Sequence, residues 1–316
     1  MIVYHPQFDL CLKDCGIDVP LEDERARKTF EALQKIDLSL SHFPIDQIKL
    51  LTKEDLLRVH TQSYIEALNG DQLITKIKQA FERPLANLNE AQAQKLWKTI
   101  LLQASATAKA CELALAAPAG WSGLLAGGMH HAYPETGRGF CLIHDITIAL
   151  KKLRAEGKIK TAWVIDIDAH KGDGTALIAR DLPWVKTLSL HMGDSWPFTD
   201  QDYHDVPSTL DLEVRTGEEH RYLELLQQGL KYLGSTSTAV DLVIVVAGAD
   251  VWEHDQLPST QGLRLTLEQI LERDQLVFRF FQERGIPQTY LIAGGYGSES
   301  DKVYTQFYSW LMSLDQ

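Results

Sequence analysis

The chain is poor in cysteine, in basic blocks and in long apolar runs, and each shortage removes a class of protein. Four cysteines, Cys11, Cys15, Cys111 and Cys141, are spread over 316 residues. They are too few and too scattered for a disulfide framework and suit a reducing cytoplasm. Cys11 and Cys15 would supply half of a zinc site, but no second Cys/His pair stands near them, so free thiols are expected. Acidic residues outnumber basic ones 43 to 31, for a net charge of −12. With no Lys/Arg-rich block, direct nucleic-acid binding is not expected, whereas cationic substrates are compatible. No stretch approaches the ~20 apolar residues of a membrane span, and the opening "MIVYHPQFDL" has no basic and apolar export signal. No Pro/Gly/Ser-rich linker, low-complexity tract or internal repeat divides the sequence. One domain over residues 1–316, cytoplasmic and without a membrane span, is the expectation.

What the chain does have is apolar residues, 45% of the total, enough for a large core. Continuous rather than alternating apolar runs occupy 120–128, 161–168, 185–191, 241–248 and 289–295. Strands buried on both faces of a parallel sheet read this way. Helical patterns lie between them at 142–156, 218–233, 266–284 and 300–314, and the N-terminal third adds helices over 20–33 and 86–116. The charges of 20–33 read as a solvated helix face. The alternation predicts an α/β fold, a central, mainly parallel sheet flanked by helices.

Functional groups in such sheets collect beyond the carboxyl ends of the strands, and the unusual residues fall there. "LLAGG" is followed by His130 and His131, "VID" by Asp168 and His170, "IVVAGA" by Asp250 and "LIAGG" by Tyr296. The densest stretch, "VIDIDAHKGDG", puts Asp166, Asp168, His170 and Asp173 within eight residues. Carboxylates in a buried position ask for a cation or many donors. One histidine and two carboxylates, Asp168, His170 and Asp250, would leave an open coordination position on a divalent metal, zinc by default or ferrous iron. A histidine pair could supply the base and acid for hydrolysis, Asp166 and Asp173 could each orient one of them, and the Tyr296 hydroxyl could donate to an oxyanion. The set points to amide hydrolysis. His144, His191 and His254 read instead as structural histidines, and Trp163 and Trp252 as core or wall.

These residues resemble the histone deacetylase family of the arginase/deacetylase fold. The matching segments are 52–68, 127–150, 164–175, 187–191, 247–257 and 293–297, in family order, and the short chain with "DIDAHKGDGT" and "GADVWEHDQL" looks most like class IV deacetylases and their bacterial relatives. The resemblance implies zinc on Asp168, His170 and Asp250, Tyr296 as transition-state donor, His131 as general base and acid, and His130 as its electrostatic partner. Asp173 and Asp166 would hold His131 and His130 respectively. It further implies Phe140 and Trp196 as walls of a tunnel for the lysine stem, with Gly139 beside the methylenes. A monovalent cation, K⁺ or Na⁺, would sit on Asp166, the backbone oxygens of Asp168, His170 and Leu190, and the Ser189 hydroxyl. Departures are Lys171, where relatives often carry His or Gln, and a shortened glycine run in "AGGYG".

The implied activity is removal of acetyl or long fatty acyl groups from lysine in a protein or peptide. An arginase-like second metal would need a carboxylate two residues after Asp250, where Trp252 stands, and a catalytically dead acyl-lysine reader would lack a residue that is present here. Acetylpolyamine deacetylation is the competing reading. The acidic gatekeeper that polyamine-selective relatives place seven residues after the second zinc aspartate is Leu257 here, an apolar rim that favours acyl-lysine. A long acyl chain would need an open channel past the metal, lined by 127–134 and 139–143, rather than a pocket filled by Met129 or Leu142.

Overall fold

A computed structural model describes residues 1–82, 88–197, 206–236 and 239–314. In chain order the elements are β1 (Ile2–Val3), α1 (Arg25–Gln34), α2 (Lys53–Leu57), α3 (Gln62–Leu68), α4 (Leu73–Phe81), α5 (Glu90–Ala116), β2 (Trp121–Leu124), α6 (Asp145–Ala155), β3 (Ala162–Asp166), α7 (Asp173–Ala179), β4 (Val185–Met192), β5 (Leu210–Val214), α8 (Tyr222–Thr236), β6 (Leu242–Val246), α9 (Leu267–Gln282), β7 (Gln288–Leu291) and α10 (Asp301–Leu314). The strands form one sheet in the order β1-β2-β7-β6-β3-β4-β5, and every pairing is parallel. The expected α/β architecture is therefore present.

The central strands β3, β6 and β7 are buried along their whole length; β6 and most of β3 are unbroken apolar runs for that reason, whereas β7 also buries Gln288, whose side-chain amide donates to the Phe278 carbonyl at 3.0 Å, and Thr289. Two strands lack the apolar run that marks the others. β1 is only two residues long, and β5, at the opposite edge, is mostly half-exposed with Asp and Glu among its residues, so neither offers a long apolar run. Expected helix starts shift to their caps: α5 begins after Asn89 and α9 after Thr266, each in a reciprocal capping box with Gln92 or Gln269, which satisfies amides the first turn leaves free. Residues 86 and 87 of the expected long helix lie outside the described residues.

One expectation is corrected. The charges of 20–33 are not all a solvated face, because Arg25 at the start of α1 is buried and its guanidinium donates to the Gly295 carbonyl at 3.0 Å and the Ala293 carbonyl at 2.5 Å. A charged side chain amid an otherwise polar helix face gives no periodic sign of this; its carbonyl partners lie some 270 positions away in the chain.

Because all strands run the same way, their carboxyl ends share one rim. β2, β7, β6 and β3 are consecutive in the sheet. The four loops in which the sequence places its unusual residues thus leave from four adjacent strands, an order that linear spacing does not contain.

Candidate active site

Asp166 ends β3, and the chain turns at once into Asp168 and His170, while Asp250 arrives from the loop after β6. One ligand-type atom from each of Asp168, His170 and Asp250 lies within 4.8 Å of the others, and all three side chains are buried. His170 Nδ1 faces Asp168 Oδ1 at 3.3 Å and Asp250 Oδ2 at 3.1 Å, while Nε2 is engaged by the Ser259 hydroxyl at 2.9 Å. The second nitrogen is therefore held from outside, as an orienting partner of a metal-binding imidazole should be. Backbone amides hold the carboxylates: Gly294 N donates to Asp168 Oδ2 at 2.8 Å and Ala169 N to Asp250 Oδ1 at 3.0 Å.

Close approach explains two glycines. A β-carbon on Gly248 would sit 2.3 Å from Asp168 Oδ2, and one on Gly294 2.2 Å from Asp250 Oδ2. Only glycine leaves the carboxylates their cradle. Burial and the Asp168 charge raise the Asp250 carboxyl, while at His170 burial is outweighed by Asp168 and Asp250, which raise it, both shifts marking an excess of negative charge. Two carboxylates around one imidazole thus call for a further positive charge, and the donor set fits a divalent cation.

Beside this cluster stand two histidine–aspartate pairs. His130 Nδ1 meets Asp166 Oδ2 at 2.7 Å and His131 Nδ1 meets Asp173 Oδ1 at 2.7 Å. The pairs match in geometry and differ in charge environment. Burial disfavours the charged form of both rings, but Asp166 and Asp168 overcome it at His130 and raise it to about 9; at His131 burial and the neighbouring His130 prevail and lower it to about 3. His131 is accordingly the neutral member. With Nδ1–H donated to Asp173, its Nε2 keeps a lone pair. Asp173 also accepts from the Tyr133 hydroxyl at 3.0 Å and pairs with Arg138 at 2.9 Å.

His130, His131, Asp168, His170 and Tyr296 line one cavity of ≈ 100 Å³. Its outer mouth, ≈ 330 Å³, is walled by Phe140, Trp196, Leu257 and Tyr296. Phe140 lies at φ 66 and Gly139 at φ 55. A left-handed phenylalanine is strained, and it is held by Phe140 N donating to the Ala80 carbonyl at 2.9 Å. A β-carbon on Gly139 would be 2.5 Å from Trp196 and 2.6 Å from His131, so glycine lets the wall close on the histidine. Tyr296 is buried, its hydroxyl raised well above its usual range by burial and the Asp250 and Asp168 charges, and among the described residues that hydroxyl has no hydrogen-bond partner. Asp166 and Ser189 are register partners on β3 and β4, with Leu190 next in line, and a β-carbon on Gly172 would press to 2.2 Å from Asp166 Oδ2.

The structure brings the sequence-selected site residues to one rim. His144 and His191 are buried in hydrogen bonds apart from the ligand set, and His254 is exposed against Trp252. Several contributors had no sequence signal. Phe8, Leu10, Leu12, Val19 and Leu21 line the inner cavity, although the first fifty residues match the resembling family weakly, and Leu142 does not line it. Glu82, at the mouth, accepts from Gly139 N at 3.2 Å. Asp145 receives Gly128 N at 3.0 Å and Met129 N at 2.8 Å, fixing the turn before the histidines. Asp255 falls inside the matching segment 247–257, but nothing there marks it as reaching Tyr296, and Ser259 lies just beyond that segment. Each acts across a gap in sequence, which is the information a single chain's spacing does not carry.

The histone deacetylase domain model matches residues 19–309. Histone deacetylase 2 of Arabidopsis thaliana is 30% identical over 253 residues, 80% of this chain and 63% of its own length. The chain therefore spans slightly under two thirds of that relative. An uncharacterized protein of Picosynechococcus sp. is 30% identical over 311 residues, 96% of this chain and 94% of its own. Among solved structures, an HDAC homolog from Aquifex aeolicus aligns with a TM-score of 0.71 at 22% identity, over 93% of this chain and 78% of that one, and this likeness gives the arginase/deacetylase fold.

Proposed function

We propose that this chain, which belongs to the histone deacetylase family, is a zinc-dependent hydrolase that removes acyl groups from the side-chain amine of lysine in proteins or peptides. The observation that carries the reading is an Asp–His–Asp cluster of which Asp168 and His170 line one cavity together with a neutral histidine on its own aspartate and a tyrosine hydroxyl that has no hydrogen-bond partner among the described residues.

Asp168, His170 and Asp250 would hold the metal. A divalent ion there supplies Lewis acidity toward the amide carbonyl and makes water acidic enough to attack at neutral pH. His131, oriented by Asp173, accepts the proton of the attacking water at Nε2 and returns it to the departing amine. His130, paired with Asp166, sets the charge beside it. Tyr296 keeps its proton and donates it in a hydrogen bond to the developing oxyanion. Amide and water become carboxylic acid and amine, with every proton accounted for. Phe140 and Trp196 hold the lysine methylenes with Gly139 between wall and base, and Leu257 closes the rim. Asp166, the backbone oxygens of Asp168, His170 and Leu190, and the Ser189 hydroxyl would hold K⁺ or Na⁺. Iron in place of zinc suits the same ligands. Free, buried cysteines favour a reducing, cytoplasmic setting, and no helix of the described residues is long and apolar enough to cross a membrane.

The acyl group is bounded by space. A cavity of ≈ 100 Å³ is smaller than the roughly 150 Å³ that accommodates a benzene ring, so acetyl and short acyl chains are favoured over the long fatty acyl chains that the class IV likeness suggests. Acetylpolyamine deacetylation has one observation in its favour. Glu82 places a carboxylate at the mouth, where a second ammonium group of a polyamine would lie, against the apolar Leu257. Specificity constants for one peptide carrying acetyl-, octanoyl- or myristoyl-lysine, beside acetylspermidine, test the reading. Acetyl-lysine peptide is expected to be the best substrate; failure of the zinc-loaded protein to hydrolyse any of the four amides would reject it.

A further inference from the structure

We propose that Asp255 is a positioning residue for Tyr296: its carboxylate ties the backbone of the tyrosine loop to the loop that walls the tunnel and thereby fixes where the phenol points. The inference rests on the reading of Tyr296 as the transition-state donor.

Asp255 is buried at 6% exposure. Its Oδ1 accepts Leu257 N at 2.9 Å and the Thr260 hydroxyl at 2.8 Å, and its Oδ2 accepts Tyr296 N at 2.7 Å. The next residue answers in the other direction, since Gln256 N donates to the Tyr296 carbonyl at 3.3 Å. Both backbone groups of Tyr296 are thus taken by two adjacent residues of another loop. The bonds to Leu257 and Thr260 would by themselves make a local turn. The bond to Tyr296, which spans 41 positions, is not needed for one.

The tyrosine loop needs an outside hold. Tyr296 is flanked by Gly295 at φ 139 and Gly297 at φ 102, conformations that glycine adopts without strain and that therefore do little to fix the residue between them. The regular ladder between β6 and β7 ends at Val246 and Leu291. Arg25 and the Tyr304 hydroxyl secure the carbonyls of Ala293, Gly294 and Gly295, and Gly297 N donates to the Pro20 carbonyl at 2.6 Å. Between these anchors, Asp255 and Gln256 hold the tyrosine itself. The same loop carries Ser259, whose hydroxyl engages His170 Nε2, so Asp255 joins the donor on one side of the cavity to the wall on the other.

Asp255→Asn is nearly isosteric and keeps a single acceptor oxygen. If that oxygen serves Leu257 and Thr260, the amide NH₂ faces Tyr296 N–H, donor against donor. Displacing a reacting group by a fraction of an ångström to one ångström is expected to lower kcat by about 10- to 100-fold, with KM within about 2-fold and metal content unchanged. In the Tyr296→Phe background the same substitution should lower kcat by less than about 2-fold more, because the group it positions is gone. Full turnover in Asp255→Asn beside a crippled Tyr296→Phe overturns the clamp alone, as do losses that multiply in the double variant. Wild-type turnover in Tyr296→Phe removes the tyrosine from the reaction and this inference with it. Should Asp255→Asn not fold, Thr260→Val withdraws one donor from the same carboxylate; the same pattern at about 3-fold supports the clamp, and unchanged kcat overturns it.

Discussion

The middle of the sheet and its carboxyl rim lie a few residues apart and follow opposite rules. In β6 every residue from Leu242 to Val246 is buried and apolar, and each such side chain contributes roughly 1.5–3 kcal/mol by leaving water. Four residues beyond, at Asp250, the burial is as complete and the side chain is a carboxylate. Asp166, Asp168, Asp255, His130, His131 and His170 are likewise buried at the rim. Burying a charge is costly unless partners compensate, and at the rim the partners are backbone amides, paired imidazoles and, on the proposed function, a cation. The sheet interior stabilises the fold by a margin that lets the rim hold groups for chemistry rather than stability. Substitutions in the two regions should therefore separate cleanly into losses of function and losses of folding.

The largest separation is expected at the reacting groups. His131→Ala and Tyr296→Phe should each lower kcat by at least about 10²-fold while melting within a few degrees of the wild type, as read from steady-state kinetics beside thermal unfolding. A rate near wild type in either would remove that residue from the mechanism. The converse comes from the sheet interior. Leu291 on β7 is fully buried, and Leu291→Ala should destabilise by about 2–5 kcal/mol with the kcat of the folded fraction nearly unchanged.

A comparable effect is expected from acid. His60 Nε2 accepts from His144 N at 3.0 Å, and His144 Nδ1 accepts from Thr147 N at 3.3 Å, so both rings must be neutral in the fold. Burial lowers His60 to about 4, and burial together with the His60 charge lowers His144 to about 3. The unfolded chain then binds more protons between these values and about 6.5. Stability should be full above pH 6.5 and fall as the pH drops toward 4, by on the order of 3 kcal/mol for His60. Urea melts across that range check it, and His60→Gln, which preserves an acceptor, should flatten the dependence. The smallest effect belongs to the surface. Thr266 caps α9 through Gln269 N at 3.2 Å, and Thr266→Ala should cost about 1 kcal/mol with no change in turnover.

The same contrast explains what could be read in advance. The apolar interiors of β3 and β6 announce themselves as continuous runs, and residues that break such a run at its end, such as Asp168 or Asp250, stand out against it. The strand order that makes β2, β7, β6 and β3 neighbours is set by packing between distant segments and leaves no local mark. Arg25, Glu82 and Ser259 take part through bonds to residues far away in the chain, in surroundings of ordinary composition, and Asp255, though inside the matching segment 247–257, has its role only through Tyr296, 41 positions on. β5 leaves no such mark because an edge strand with one exposed side needs no apolar run.

The contrast is tested most directly at Asp250, where a single substitution addresses both regions' rules. Zinc content and the melting temperature of the metal-stripped protein should be measured on Asp250→Asn and wild type side by side, near neutral pH. Because burial and Asp168 oppose the charge of Asp250, the asparagine variant should retain no zinc and yet melt, metal-free, at the wild-type temperature or above. Stoichiometric zinc in the variant, or a fall in melting temperature as large as that of Leu291→Ala, would contradict the assignment of this residue to metal binding rather than to the fold.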